Sequence, residues 1–108
     1  MPTVLITGAG RGLGKGFADH YAAAGWRVIS TARNPEGLAG EAYPLEVTSA
    51  ESVAALADSL AGEPIDLLIN NAGITGPRGT GVSNLEYEAW SEVLAVNAIA
   101  PIRISAAL

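Results

Sequence analysis

The sequence predicts an α/β fold, a doubly wound parallel sheet of strand order 3-2-1-4 filling one domain over residues 1–108. Three observations predict it. Apolar runs of strand length alternate with helical patterns, the mark of βαβ units. A glycine-rich turn at Thr7–Gly14 joins the first such run to the first helical one. The run Ile65–Ile69 is apolar after Asp66, as in a parallel strand buried on both faces. Crossovers between such strands are right-handed.

Each element has a local reason. Residues 3–7 (Thr-Val-Leu-Ile-Thr) form a β-branched run ending at glycine. Residues 12–24 read as a helix, with Leu13, Phe17, Tyr21 and Ala24 spaced as its buried stripe and Gly25 as its terminator. Arg27–Ala32 is the second strand. Asn34, Pro35 and Gly37 mark a turn, leaving room for only a short helix at 36–40. Ala42–Glu46 is a weak third strand. Thr48 or Ser49 can cap a helix over 50–61, which Gly62 ends. After the fourth strand, residues 72–84 are a loop. A last helix starts near 84, where Ser83 and Glu86 have capping-box spacing, and runs to the end, with Trp90, Val93 and Leu94 as core.

The composition supports a folded core, with 49% hydrophobic residues, 16% charged and 13 glycines. The glycines suit close helix–sheet packing. A net charge of −5 argues against nucleic acid or an anionic membrane as partner. The basic residues Arg11, Lys15 and Arg33 nevertheless lie at the ends of the first two strands, where a local phosphate site would want them. With no cysteine, neither a disulfide framework nor a thiolate metal site is expected, and no metal ligand is assigned. No basic, apolar leader and no run of about 20 apolar residues is present, so the expected location is the cytoplasm.

The turn Thr7-Gly8-Ala9-Gly10-Arg11-Gly12-Leu13-Gly14 carries the most chemistry. Placed between a strand and a helix, it aims free N–H groups and the positive helix end at an anion. Gly8 permits the tight turn, Gly12 lets a pyrophosphate approach the backbone, and Gly14 allows helix–strand contact. The dinucleotide signature G-x-G-x-x-G would need glycine at 13, where leucine stands. A P-loop needs G-x-x-x-x-G-K-[ST], but Lys15 is followed by Gly16, which has no hydroxyl for Mg²⁺, and Ala9 replaces the first glycine. The spacing that fits is G-x-x-x-G-x-G at Gly8, Gly12 and Gly14.

With these residues the chain resembles the short-chain dehydrogenase/reductase family. The pattern T-G-x-x-x-G-x-G matches at Thr7–Gly14, N-N-A-G at Asn70-Asn71-Ala72-Gly73, and the family's helical asparagine at Val96-Asn97. The stretch Gly25–Pro35 is most similar to the C-factor/sniffer-like branch. The resemblance implies a Rossmann-like fold and hydride transfer between a nicotinamide cofactor and an alcohol or carbonyl. It implies cofactor contacts from Gly8, Gly10, Arg11, Gly12, Leu13, Gly14, Arg33, Glu46, Val47, Asn71, Ala72 and Gly73. Asn71 is the expected direct contact and Asn70 the expected sheet brace. Glu46 stands where the family usually has an aspartate touching adenine, so that contact is expected to pass to the Val47 backbone.

Cofactor choice follows from charge. An NAD site needs a carboxylate at the end of the second strand, for the ribose hydroxyls. Ala32 holds that place and Arg33 follows, able to grip a 2′-phosphate through its fork. Arg11 points the same way, so NADP(H) is expected in preference to NAD(H).

Asn97 is the catalytic candidate, implied by the resemblance to hold a water in a proton relay. Proline at 101 has no N–H to give the Asn97 carbonyl, so a kink is expected there; a helix ending near Pro101 is the alternative. The family's Tyr-x-x-x-Lys pair is missing. The one lysine is Lys15, and Tyr21, Tyr43 and Tyr87 are followed four residues on by Gly25, Val47 and Ser91. The chain resembles the first half of a longer enzyme, truncated before its catalytic region. It is expected to bind cofactor weakly, to be inactive alone, and to self-associate through the apolar surface of 98–108. The alternative is a non-catalytic module binding a nucleotide or a partner. His20 and Arg78 are read as surface residues, and Asp66 as closing a helix–strand connection.

Overall fold

In the computed structural model, described for residues 1–73, 91 and 94–108, four parallel strands form one sheet in the order β3-β2-β1-β4. The strands are β1 (Thr3–Thr7), β2 (Arg27–Ala32), β3 (Glu41–Pro44) and β4 (Leu67–Ile69); the helices are α1 (Gly12–Ala23), α2 (Ala50–Ser59) and α3 (Ala100–Ala107). The expected order 3-2-1-4 is the observed one. The expected start near 84, its Ser83–Glu86 capping box, the loop from 74 on, Arg78, Trp90 and Val93 lie outside the described residues.

Alternation along β1 creates two cores. Leu5 points to one face and packs with Ile29, Leu45, Val53, Leu56, Leu60 and Ile104 under α2 and α3. Val4 and Ile6 point to the other and pack with Ala9, Ala18 and Val28 under α1. Leu5 is fully buried and lies in register with Ile29 and Leu68. Each such side chain contributes about 1.5–3 kcal/mol through burial.

Helix α1 corrects the expected stripe. Its buried residues are Gly14 and Ala18, whereas Leu13 is 75% exposed and Phe17 borders on exposed. The helix lies so close to the sheet that only small side chains fit beneath it. Tyr21 packs on this core only in part, and Ala24 is exposed. The end of α1 is as expected: Gly25 N–H donates to Ala22 O and Trp26 N–H to Tyr21 O. The Tyr21 and Trp26 rings meet edge-on at 4.9 Å, the apolar contact that accompanies such a Schellman end.

Three further expectations shift. No helix forms at 36–40, which is turn and bend. Strand β3 begins one residue early and ends at Pro44. Strand β4 is half-buried along its length, because it lies at the edge of the sheet among the described residues. Helix α2 starts where Ser49 caps it, its Oγ accepting from Ser52 N at 3.1 Å.

At Pro101 the helix neither stops nor simply bends. Residues Ala95–Ile99 form a π-helical turn in which Ala100 N–H donates to Ala95 O, and α3 continues from Ala100. A wider turn is the local answer to a proline that cannot bond four residues back. Val96, Ala100 and Ile104 are buried along one line, while Leu94, Ile99 and Ile102 are exposed, so Leu94 is not core.

Candidate functional site

The C-terminal ends of the strands surround a cavity of about 770 Å³. Its floor begins at the glycine turn. Gly8 and Gly12 have φ of +64° and +56°, a region that costs other residues strain. Gly14 sits so close to the turn that a Cβ there would overlap the Gly8 carbonyl oxygen. Nothing lies within 4 Å of a Cβ placed on Gly12, so the backbone there faces open space.

Hydrogen bonds fix the turn from both sides. Ala9 N–H donates to Thr31 O at 3.0 Å, on the β2 side. Asn71 Nδ2 donates to Gly8 O at 3.1 Å, and Ala72 N–H donates to Thr7 Oγ1 at 3.1 Å, on the β4 side. Asn71 therefore braces the turn as well as lining the cavity. Asn70 reaches away to the last helix, its Nδ2 donating to Ser105 Oγ at 3.3 Å.

The two well-formed helix starts differ. Helix α2 has Ser49 as its cap and Glu51 in its first turn. Helix α1 has Arg11 at its N-cap, with no side-chain cap, and no acid in its first turn. Among the described residues no side chain caps the N–H groups at the start of α1, and a helix start of that kind favours an anion.

Of the residues expected at a cofactor, Gly8, Gly10, Arg11, Gly12, Arg33, Glu46, Val47, Asn71, Ala72 and Gly73 line this one cavity. Leu13 and Gly14 do not: Leu13 projects outward, and Gly14 is packed behind the turn. Lys15 also stays away, pairing with Asp19 at 3.1 Å on the exposed face of α1. Asn97 neighbours the cavity; its Oδ1 would stand 3.1 Å from a Cβ on Gly73. The sequence reading missed Asn34, Leu45, Thr48 and Val96 as lining residues. Val96 is adjacent to Asn97 in the matched motif and could have been found there. In the sequence Thr48 stands out only as a candidate helix cap.

Charge is concentrated on one rim. Arg33 is 79% exposed and lies 3.7 Å from Glu46, Nε to Oε2. The other Glu46 oxygen, Oε1, accepts from Thr48 Oγ1 at 3.0 Å and Thr48 N at 3.4 Å. Arg11 makes no ion pair among the described residues and borders the same cavity. Among those residues, no group of three or more His, Cys, Asp or Glu could hold a metal ion.

Comparison with known proteins agrees with this geometry. The 3-oxoacyl-[acyl-carrier-protein] reductase FabG of Vibrio cholerae is 35% identical over 115 residues, covering 96% of this chain and 46% of its own length. A carbonyl reductase from Pseudomonas aeruginosa superposes with a TM-score of 0.88 at 33% identity, over 100% of this chain and 55% of that one. A metagenomic short-chain oxidoreductase in complex with NADP gives a TM-score of 0.86 at 30% identity, over 99% and 54%. The chain thus spans about half the length of the relatives it matches. The family model described as short chain dehydrogenase matches residues 2–108, and this chain, with its glycine turn, Asn-Asn-Ala-Gly turn and 3-2-1-4 sheet, belongs to the short-chain dehydrogenase family.

Proposed function

We propose that the chain is the NADP(H)-binding part of an oxidoreductase acting on a small alcohol or carbonyl compound. The observation that carries this is one cavity joining the glycine turn to Arg33 and the Asn71-Ala72-Gly73 turn. Its volume suits a cofactor, within the usual range of about 300–1,000 Å³. The uncapped start of α1 and the open space over Gly12 fit a pyrophosphate. The related NADP complex supports the same reading.

In this reading the backbone N–H groups of the turn and Arg11 hold the pyrophosphate, and Arg33 holds the 2′-phosphate. Glu46 and Val47 border the adenine. Asn71, Ala72 and Gly73 form the wall beside the ribose and nicotinamide, and Asn97 stands next to that wall as the candidate for a proton relay. A bound nicotinamide dinucleotide supplies the hydride chemistry. The chain has no Tyr-x-x-x-Lys pair to move the hydroxyl proton, so cofactor binding without turnover is expected of it alone.

Calorimetric titration of the 108-residue chain tests the cofactor assignment. Binding of 2′,5′-ADP about tenfold tighter than 5′-AMP is expected from one charge-assisted phosphate contact. Equal affinities would remove the NADP(H) assignment. NADPH consumption with any member of a carbonyl panel would overturn the expectation of inactivity.

A further inference from the structure

The Arg33–Glu46 pair has a consequence for cofactor choice that Arg33 alone does not. Both side chains line the cavity, and Glu46 approaches the guanidinium assigned above to the 2′-phosphate. Glu46 is not loose. Its N–H donates to Ser52 Oγ at 2.9 Å, its carbonyl accepts from Ser49 N at 3.0 Å, and its Oε1 is held by Thr48. These ties hold the carboxylate on the rim with Oε2 turned to Arg33.

We propose that Glu46 is a specificity-determining residue: a competing counter-ion that keeps the site's preference for a 2′-phosphate below what Arg33 would give unopposed. The proposal rests on the NADP(H) reading above. A 2′-phosphate must take Arg33 from Glu46 and then sit beside a carboxylate of its own sign. A 2′-hydroxyl meets neither cost and can donate to a carboxylate within reach. The pair is exposed and 3.7 Å apart, so the contribution is that of a surface ion pair, a tempering and not a reversal.

The test is the ratio of 2′,5′-ADP to 5′-AMP affinity in the wild-type chain, Glu46→Gln, Arg33→Ala and the double variant, each checked for folding by its thermal midpoint. Glu46→Gln is expected to raise the ratio about two- to fivefold, the range of an exposed ion pair. In the Arg33→Ala background the same change is expected to move the ratio less, because there is no guanidinium to release. An unchanged or lowered ratio in Glu46→Gln overturns the proposal. So does an equal rise with and without Arg33, which would mean simple repulsion of the phosphate. If the wild-type ratio is already one, the NADP(H) reading fails first and this proposal falls with it. That outcome is visible before any variant is compared.

Discussion

The two ends of the sheet use arginine in opposite ways. At the N-terminal ends of the strands Arg27 is fully engaged. It donates from Nε and an η nitrogen to both oxygens of Glu41, at 2.6 and 2.9 Å, and from the other η nitrogen to Glu63 at 2.6 Å. Beside it Asp66 accepts from Thr3 N at 2.7 Å, while Asp66 N–H donates to Thr3 O. At the C-terminal ends Arg33 has one distant partner, and Arg11 none among the described residues. One end has satisfied its charges internally and holds the sheet together. The other leaves its positive groups available to a ligand, and every expected cofactor residue that lines the cavity is found there.

The largest expected effect joins the two roles. Gly14→Ala places a methyl group against the Gly8 carbonyl, which no rotamer change can move aside, and against the Asn71 amide that braces the turn. A loss at the upper end of about 1–3 kcal/mol is expected, with nucleotide binding lost as the turn shifts. A denaturation midpoint equal to wild type would show that α1 can back away from the sheet.

A second pair of variants separates the ends directly. Arg27→Met is expected to lower the thermal midpoint and leave the ratio of 2′,5′-ADP to 5′-AMP affinity as it was. Arg33→Ala is expected to do the reverse, cutting 2′,5′-ADP affinity about tenfold at unchanged stability. If Arg27→Met altered nucleotide selectivity, the division of labour between the ends would be wrong.

A smaller effect is expected from pH. The hydrogen bond from Arg27 holds the Glu41 carboxyl below its ordinary range, and the attraction of the guanidinium adds to this against some desolvation. A carboxylate with a depressed folded pKa stabilises fully above its unfolded value, about 4.3, and loses that contribution as pH falls through the folded one. The group is exposed, so the effect is modest. The thermal midpoint should therefore fall more between pH 6 and pH 3 in wild type than in Glu41→Gln. Arg27 is raised still further above its ordinary value by Glu41 and Glu63, and stays charged throughout.

The smallest effect lies midway between the ends. Ser30 on β2 is fully buried, and its hydroxyl has no hydrogen-bond partner among the described residues. Ser30→Ala removes an unsatisfied polar group and should leave stability unchanged or raise it by up to about 1 kcal/mol. A clear loss by denaturant titration would mean that a partner for Oγ exists.

Much of this was legible in the sequence because it is local. The bounds of β1 and β2 follow from β-branched runs between turns, the end of α1 from Gly25, and the sheet order from the mononucleotide-binding half of the doubly wound fold that the pattern matches. The error on α1 is instructive. Large apolar residues at i, i+4 spacing suggested a buried stripe through Leu13 and Phe17. The glycine turn had already required a close approach, and close approach selects the small side chains of Gly14 and Ala18. What could not be read is what needs register in three dimensions. The Arg27 fork depends on how β3 aligns with β2, and Asn71 returns to Gly8 across 63 residues. The pairing of Arg33 with Glu46 joins the ends of two strands that the sequence leaves 13 residues apart.

The π turn at Ala95–Ile99 bears on how this segment can change length. Val96 lines the cavity and Ile104 fills the core beneath α2, eight positions along the chain. In an unbroken α-helix, eight steps of roughly 100° leave two side chains about 80° out of line. The broader turn advances less per residue and brings Val96, Ala100 and Ile104 back onto one edge. A single-residue deletion inside 95–99 would tighten the coil and swing everything before it by roughly 100° while Ile104 stayed anchored. Insertions and deletions here are thus not equivalent to those in a surface loop: one codon sets which side chain forms the wall of the cavity.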